Sequence, residues 1–285
     1  MFLLLLSPNT YHESEVSHCT MKKVYYILLL SMILCVACQF KLGQGGDDVQ
    51  TPLIEIDRYD RLEYRYLTTG DFSALQEMNT EYPMETRTLL EDVLKIGNAT
   101  DPEINTKFLK FYQDSLLQML ISDTEVFYAD MSDLNKELNT AFTKLKKWFP
   151  DMEIPRVYAQ ISALDKSIVV GNQTIGISLD KYLGADYPLY RRFYTDAQRK
   201  LMRRDMMLPE ALTFFLLSQY PLKDFETRPQ LDRDLHIGKV QWIVNQSLER
   251  HVFASKFVTS VDNYMKSNPK VSYDELLKMT DFSNF

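Results

Sequence analysis

The sequence predicts an α+β domain, mostly helical, with one small sheet built on a hairpin at about residues 155–178 and packed against helices. Three observations predict it. Glycine is scarce (9 of 285 residues) while bulky rings are abundant, with 17 Tyr and 16 Phe. Apolar residues over most of the chain recur at steps of three and four, the spacing of a helix with one buried face. A single region, from Arg156 to Ser178, alternates instead with the period of two that marks strands.

Taken in order, Ile54 to Tyr59 alternates and reads as a short strand. Asp71–Thr80 and Glu85–Ile96 read as helices, interrupted by Tyr82-Pro83 and closed by Gly97-Asn98. Asp101-Pro102 has the residue types of an N-cap followed by a first-turn proline, so a helix is expected to start there. Phe108, Phe111, Tyr112, Leu116 and Met119 would share its face. Phe127, Met131, Leu134, Leu138, Ala141, Leu145 and Trp148 form the clearest stripe, predicting one long helix from about Thr124 to Trp148, ended by Pro150. Asn135, Glu137 and Lys146 lie off that stripe and are expected to face away from the core. Arg156–Ser162, Ser167–Val170 and Thr174–Ser178 are three strands, the last two joined by the turn formers Gly171-Asn172. Helices are then expected at about Tyr187–Met206, Glu210–Gln219, Asp232–Arg250, Ala254–Ser267 and Tyr273–Met279. No repeat or linker marks a second domain within residues 53–285.

The chain carries a formal net charge of −7, with 45% hydrophobic and 25% charged residues. This is the composition of a folded globular protein. The acidic balance argues against a nucleic-acid partner, which needs cations to displace condensed counterions. The basic patches at Lys144–Lys147 and Arg199–Arg204 are broken by apolar residues at helical spacing and read as solvated helix faces.

All three cysteines, Cys19, Cys35 and Cys38, precede residue 39, so neither a disulfide framework nor a cysteine zinc site is available beyond it. From Met21 the chain reads as a lipoprotein leader. Lys22 and Lys23 supply a positive start, and an apolar stretch of about fourteen residues follows, short of the roughly 20 needed to span a bilayer. Val36-Ala37 then places small side chains before Cys38. We therefore expect a signal peptide over 21–37, with residues 1–20 an upstream start artefact. Cys38 is the expected lipid-attachment residue, carrying diacylglycerol and an N-acyl chain, which together hold a protein stably on a membrane. Residues 38–52, with Gly43, Gly45 and Gly46, form the expected tether. Gln39 rather than Asp follows Cys38, which points to the outer membrane, facing the periplasm.

A long helix, a small sheet with a hairpin and a helix from near Pro209 is the element order of zinc-dependent metallopeptidases. The defining His-Glu-x-x-His is missing: Glu210 stands in Leu208–Phe215 with no flanking histidine. Beyond residue 38 the chain has only His236 and His251. No nucleophile elbow, Walker loop or dinucleotide fingerprint is present. The sequence thus predicts no metal, no cofactor beyond the lipid and no enzymatic activity. Asp180 and Glu210 remain the candidate binding residues.

Trp148-Phe149-Pro150, Ile154–Tyr158, the segment Ile175–Asp186 with its Leu-Asp-x-x-Leu-Gly-x-Asp pattern, Ile237-Gly238-Lys239 and the opening Ile56–Asp60 together resemble the gliding motility lipoprotein GldB family of Bacteroidota. The resemblance implies an envelope lipoprotein connected with the gliding apparatus, with a zincin-like fold that lacks the metal motif. It also implies a protein that acts by binding other envelope proteins. The alternative is a lipid-anchored hydrolase, either a divergent peptidase or a glycosidase using paired carboxylates. Within the matched residues, Gly176 and Gly184 are expected to serve backbone geometry or close packing, and Asp180 to brace the turn after the strand.

Overall fold

The computed structural model describes residues 53–285; the expected leader, Cys38 and the tether lie outside the described residues. Four strands form one mixed sheet: β1 (Ile56–Asp57), β2 (Arg156–Gln160), β3 (Ile168–Gly171) and β4 (Thr174–Ser178), in the order β1-β2-β4-β3. β1 and β4 flank β2 in parallel, and β3 closes one edge antiparallel to β4. Val157, Ala159, Ile175 and Ile177 point into the larger core, whereas Tyr158 and Ile161 point into a second core on the other side. Cover on both faces leaves β2 and β4 buried along their whole length after the first residue, although their sequences alternate.

The second core is made by α1 (Tyr59–Thr69), α2 (Phe72–Glu81), α3 (Pro83–Thr88) with a π-helical turn at Leu89–Val93, and α4 (Ile104–Phe111). α5 (Ser115–Phe127) bridges the two cores through Leu120 and Ile121. The larger core is made by α6 (Ser132–Trp148), then, after the sheet, α9 (Met207–Gln219), α10 (Gln230–Leu248), α11 (Lys256–Ser267) and α12 (Tyr273–Lys278). Two four-residue helices, α7 (Tyr190–Phe193) and α8 (Asp196–Arg199), precede α9. Among the described residues no helix is long and apolar enough to cross a membrane.

The α+β class and the hairpin are as expected, with corrections at element ends. The stripe from Leu134 to Leu145 is buried, but the helix carrying it starts at Ser132, not Thr124. Asp130 accepts from the Ser132 N–H, and Tyr128 turns into the core to donate to the Tyr182 carbonyl, so the chain bends between α5 and α6. The helix expected from Asp101 is also two: Asp101 caps a turn by accepting from Glu103 N, α4 starts at Ile104, and Asp114 caps α5 anew. Phe111 and Met119 are accordingly exposed rather than on one buried face. The long helix expected over Tyr187–Met206 is broken because Tyr194 is extended and Thr195 restarts the chain in a capping box with Gln198. The turn of the hairpin is Asn172-Gln173, with Gln173 in the left-handed region, and Gly171 is the last residue of β3.

The side of α6 away from the core is also busier than its sequence suggests. Asn135 Oδ1 accepts from Ile56 N at 3.0 Å and Asn139 Oδ1 from Ile54 N at 3.3 Å, so this helix holds the strand that opens the domain. Glu137 pairs with Arg250, and Lys146 donates to the Pro150 and Met152 carbonyls. α1 is absent from the sequence reading. Its buried face is Tyr59, Leu62, Glu63, Tyr66 and Leu67, and the carboxylate inside that stripe hides the helical period.

Candidate functional site

The polar chemistry of the domain gathers where the parallel strands β2 and β4 end. Gln160 and Ser178, the last residues of the two strands, are fully buried side by side, with Gln160 Nε2 donating to Ser178 Oγ at 3.1 Å. Beyond β2 the chain makes an unusual loop, since Ala163 and Leu164 both have positive φ. Two consecutive non-glycine residues in this region need external support.

Asp180 provides it. It sits in a 3-10 turn at Leu179–Lys181 directly after β4, is fully buried, and accepts from Ser162 N at 2.9 Å and Leu164 N at 2.6 Å. Burial still raises its carboxyl above the usual range, against the pull of those backbone bonds and of Lys181. The next residue holds the loop from the other polarity. Lys181 Nζ donates to the Leu164 and Asp165 carbonyls at 3.1 and 3.2 Å, and Tyr194 Oη donates to the Leu164 carbonyl at 2.6 Å. The Asp-Lys pair thus fixes the N–H groups and the carbonyls of one loop, and that loop leads straight into β3.

Glu210 lies in the first turn of α9, which packs against β3 and β4. Its carboxylate takes a hydrogen bond from Tyr182 Oη. Burial raises its carboxyl, while Tyr182, Lys181 and Ser167 pull it back. Asp180 and Glu210 therefore share no hydrogen-bond partner. The glycines behave as expected. A Cβ on Gly176 would lie 2.5 Å from Tyr158 Oη, so its absence lets the Tyr158 ring lie across the sheet, and Gly184 has φ 111°.

One site residue escaped the sequence. Glu63 of α1 is fully buried, and its Oε2 accepts from Ile161 N at 2.7 Å. Tyr112 Oη donates to the carbonyl of the same residue at 2.9 Å. Burial pushes the Glu63 carboxyl well up, and the neighbouring acids Asp60 and Asp180 add to it. Glu63 Oε1 and Gln160 Oε1 have no partner among the described residues, and a neutral Glu63 carries the donor that such an acceptor-rich interior lacks. A Glu one turn after Tyr59 in an otherwise apolar stripe was the available signal.

The histidines do not converge: His236 is buried and donates from Nε2 to the Tyr220 carbonyl at 2.8 Å, and His251 is exposed. Among the described residues no three His, Cys, Asp or Glu side chains gather as a metal site would require. A cavity of 300 Å³ lies elsewhere, between the ends of α6 and α9 and α12, lined by Trp148, Tyr220 and Asp274 among others and not by Asp180 or Glu210.

These features define a mostly helical α+β domain whose buried polar residues shape one loop and the edge strand after it. The family model for gliding motility protein GldB matches residues 46–257, and the chain belongs to that family. Comparisons with curated proteins and with solved structures find no match, so the zincin-like label has no solved counterpart behind it.

Proposed function

We propose that this protein is a lipid-anchored component of the cell envelope, related to gliding motility, that acts by binding other proteins rather than by catalysis. The observation that carries the reading is family membership over residues 46–257. The disposition of the two candidate acids supports it: Asp180 is spent on the loop, and Glu210 is engaged by Tyr182. A carboxylate pair acting on a glycosidic bond needs both groups directed at one open site. The anchor is Cys38, placed on the outer membrane facing the periplasm, with no nucleic acid, metal or small-molecule cofactor in the role.

The test is crosslinking of the full-length lipoprotein in intact cells, followed by identification of what it touches. A reproducible envelope protein is the expected outcome, and none at any crosslinker length would overturn the binding role. Cys38→Ala should leave an unprocessed precursor that no longer incorporates labelled fatty acid; normal labelling would remove the anchor from the reading. The purified protein should hold no stoichiometric zinc and keep its melting temperature in chelator, because a bound metal would stabilise the folded state by mass action. One equivalent of zinc by elemental analysis would revive the hydrolase alternative.

A further inference from the structure

β3 forms an edge of the sheet, and its register determines which of its backbone groups point outward. Ser178 N donates to Ser167 O at 2.9 Å, which puts Ser167 and Ser178 at a hydrogen-bonded position of the ladder. The pairs Val169–Gly176 and Gly171–Thr174 follow at two-residue steps in the same ladder. The N–H and carbonyl groups of Ile168 and Val170 therefore point away from β4. Among the described residues no backbone or side-chain group bonds to them. The side chains of Ile168, Val169 and Val170 are half-buried, Ile168 packing against the larger core and Val169 against the second, so the strand is held in the sheet while its outer edge is open.

Proteins usually blunt such an edge with proline, a bulge or an inward charge. β3 has none of these and limits its edge only by its length of four residues. The surrounding residues instead hold it in place: Asp180 and Lys181 fix the loop before it, and α9 packs against it.

We propose that β3 is a docking edge to which an extended segment of a partner protein adds as a fifth strand, bonding the outward groups of Ile168 and Val170. This rests on the protein-binding reading above and gives it a place and a chemistry. Donors and acceptors that alternate every second residue along one edge are matched by another extended backbone. A helix has spent its backbone groups internally, and a lipid headgroup offers no such repeat. A second copy of the chain is disfavoured on two grounds. Each copy carries a net charge of −7, and two four-residue edges alone fall short of the surface a stable dimer buries.

The test compares amide exchange of the full-length lipoprotein in its native membranes with the same protein purified in detergent. Ile168 and Val170 should gain protection in membranes, slowing by about tenfold or more, while Val169 and Gly171, already in the ladder, should change little. Val170→Pro deletes an outward N–H only and should fold yet lose the gain at Ile168; Val170→Thr keeps the N–H and should retain it. Should Val170→Pro fail to fold, Ile168→Pro replaces it, read through Val170. Equal exchange in membranes and detergent would overturn the proposal, as would protection that grows with concentration of the purified protein alone. A partner crosslinked equally well to Val170→Pro would leave the binding role standing and remove β3 from it.

Discussion

Buried charge is handled in opposite ways at the two ends of this domain. At the sheet, Asp180 is fully buried and its carboxylate accepts from two loop N–H groups that the backbone has turned inward. In the C-terminal helices, Lys239 is equally buried, and its ammonium donates to the carbonyls of Met279 at 2.7 Å and Leu277 at 3.4 Å and lies 4.8 Å from the centre of the Phe282 ring. Neither is matched by an opposite side-chain charge at hydrogen-bond distance. The acid, however, shapes a strained loop that would not stand without it. The lysine receives carbonyls at a helix C-terminus, which are free there in any case. One group creates its surroundings and the other fits into them.

Substitutions should expose that asymmetry. An apolar deletion sets the yardstick: Leu138→Ala, at a position only 1% exposed, should cost about 2–5 kcal/mol in denaturant unfolding. Asp180→Ala should approach it, at roughly 2–4 kcal/mol, because two N–H groups lose their acceptor and each unsatisfied buried donor costs about 1–3 kcal/mol. If Asp180→Ala melts like the wild type, the loop is not held as described. Asn135→Ala removes the acceptor for Ile56 N and should cost about 1 kcal/mol, more than an idle surface position would. Lys239→Met should have the smallest effect, within about 1 kcal/mol, because an apolar side chain of similar length replaces a desolvated ammonium. A loss as large as that of Asp180→Ala would erase the contrast.

The pH dependence sharpens the same comparison. Burial, together with Arg228, holds Lys239 down at about 8, from 10.5. Burial, with Lys239 and Arg228 nearby, takes His236 from 6.5 to about 4. The folded chain then binds fewer protons than the unfolded one over pH 4–6.5 and pH 8–10.5, so stability should rise with pH across each window. Lys239→Met should flatten the alkaline rise and His236→Gln the acid one, read from unfolding midpoints against pH. Glu63 works in the other sense. Its raised carboxyl contributes stability that is complete below pH 4.5 and lost as pH climbs through the folded value. Glu63→Gln should remove that loss and stay within about 1 kcal/mol of the wild type at neutral pH, since a neutral amide keeps the acceptor for Ile161 N.

The sequence by itself determined the elements whose burial is one-sided or whose period is unbroken. The α6 stripe, α11 and the core role of Leu134, Leu138 and Leu145 follow from apolar spacing, and the hairpin from alternation around its turn formers. So does family membership, which rests on residue pattern. Tertiary structure decided what spacing cannot carry. α1 was hidden because Asp60 and Glu63 are buried, and a carboxylate inside an apolar stripe is stable only when a partner meets it, here Arg58 at the start of the same helix for Asp60 and, from just beyond β2, Ile161 N for Glu63. Helix ends moved because Asp114, Asp130 and Thr195 cap locally, whereas a stripe can continue in register across a break. The role of Asp180 was legible as a brace, but the N–H groups it holds belong to residues 16 and 18 positions earlier, brought near only by the parallel pairing of β2 and β4. The openness of β3 was likewise invisible in the sequence, because which strand lies at an edge is set by sheet order and not by the strand's own residues.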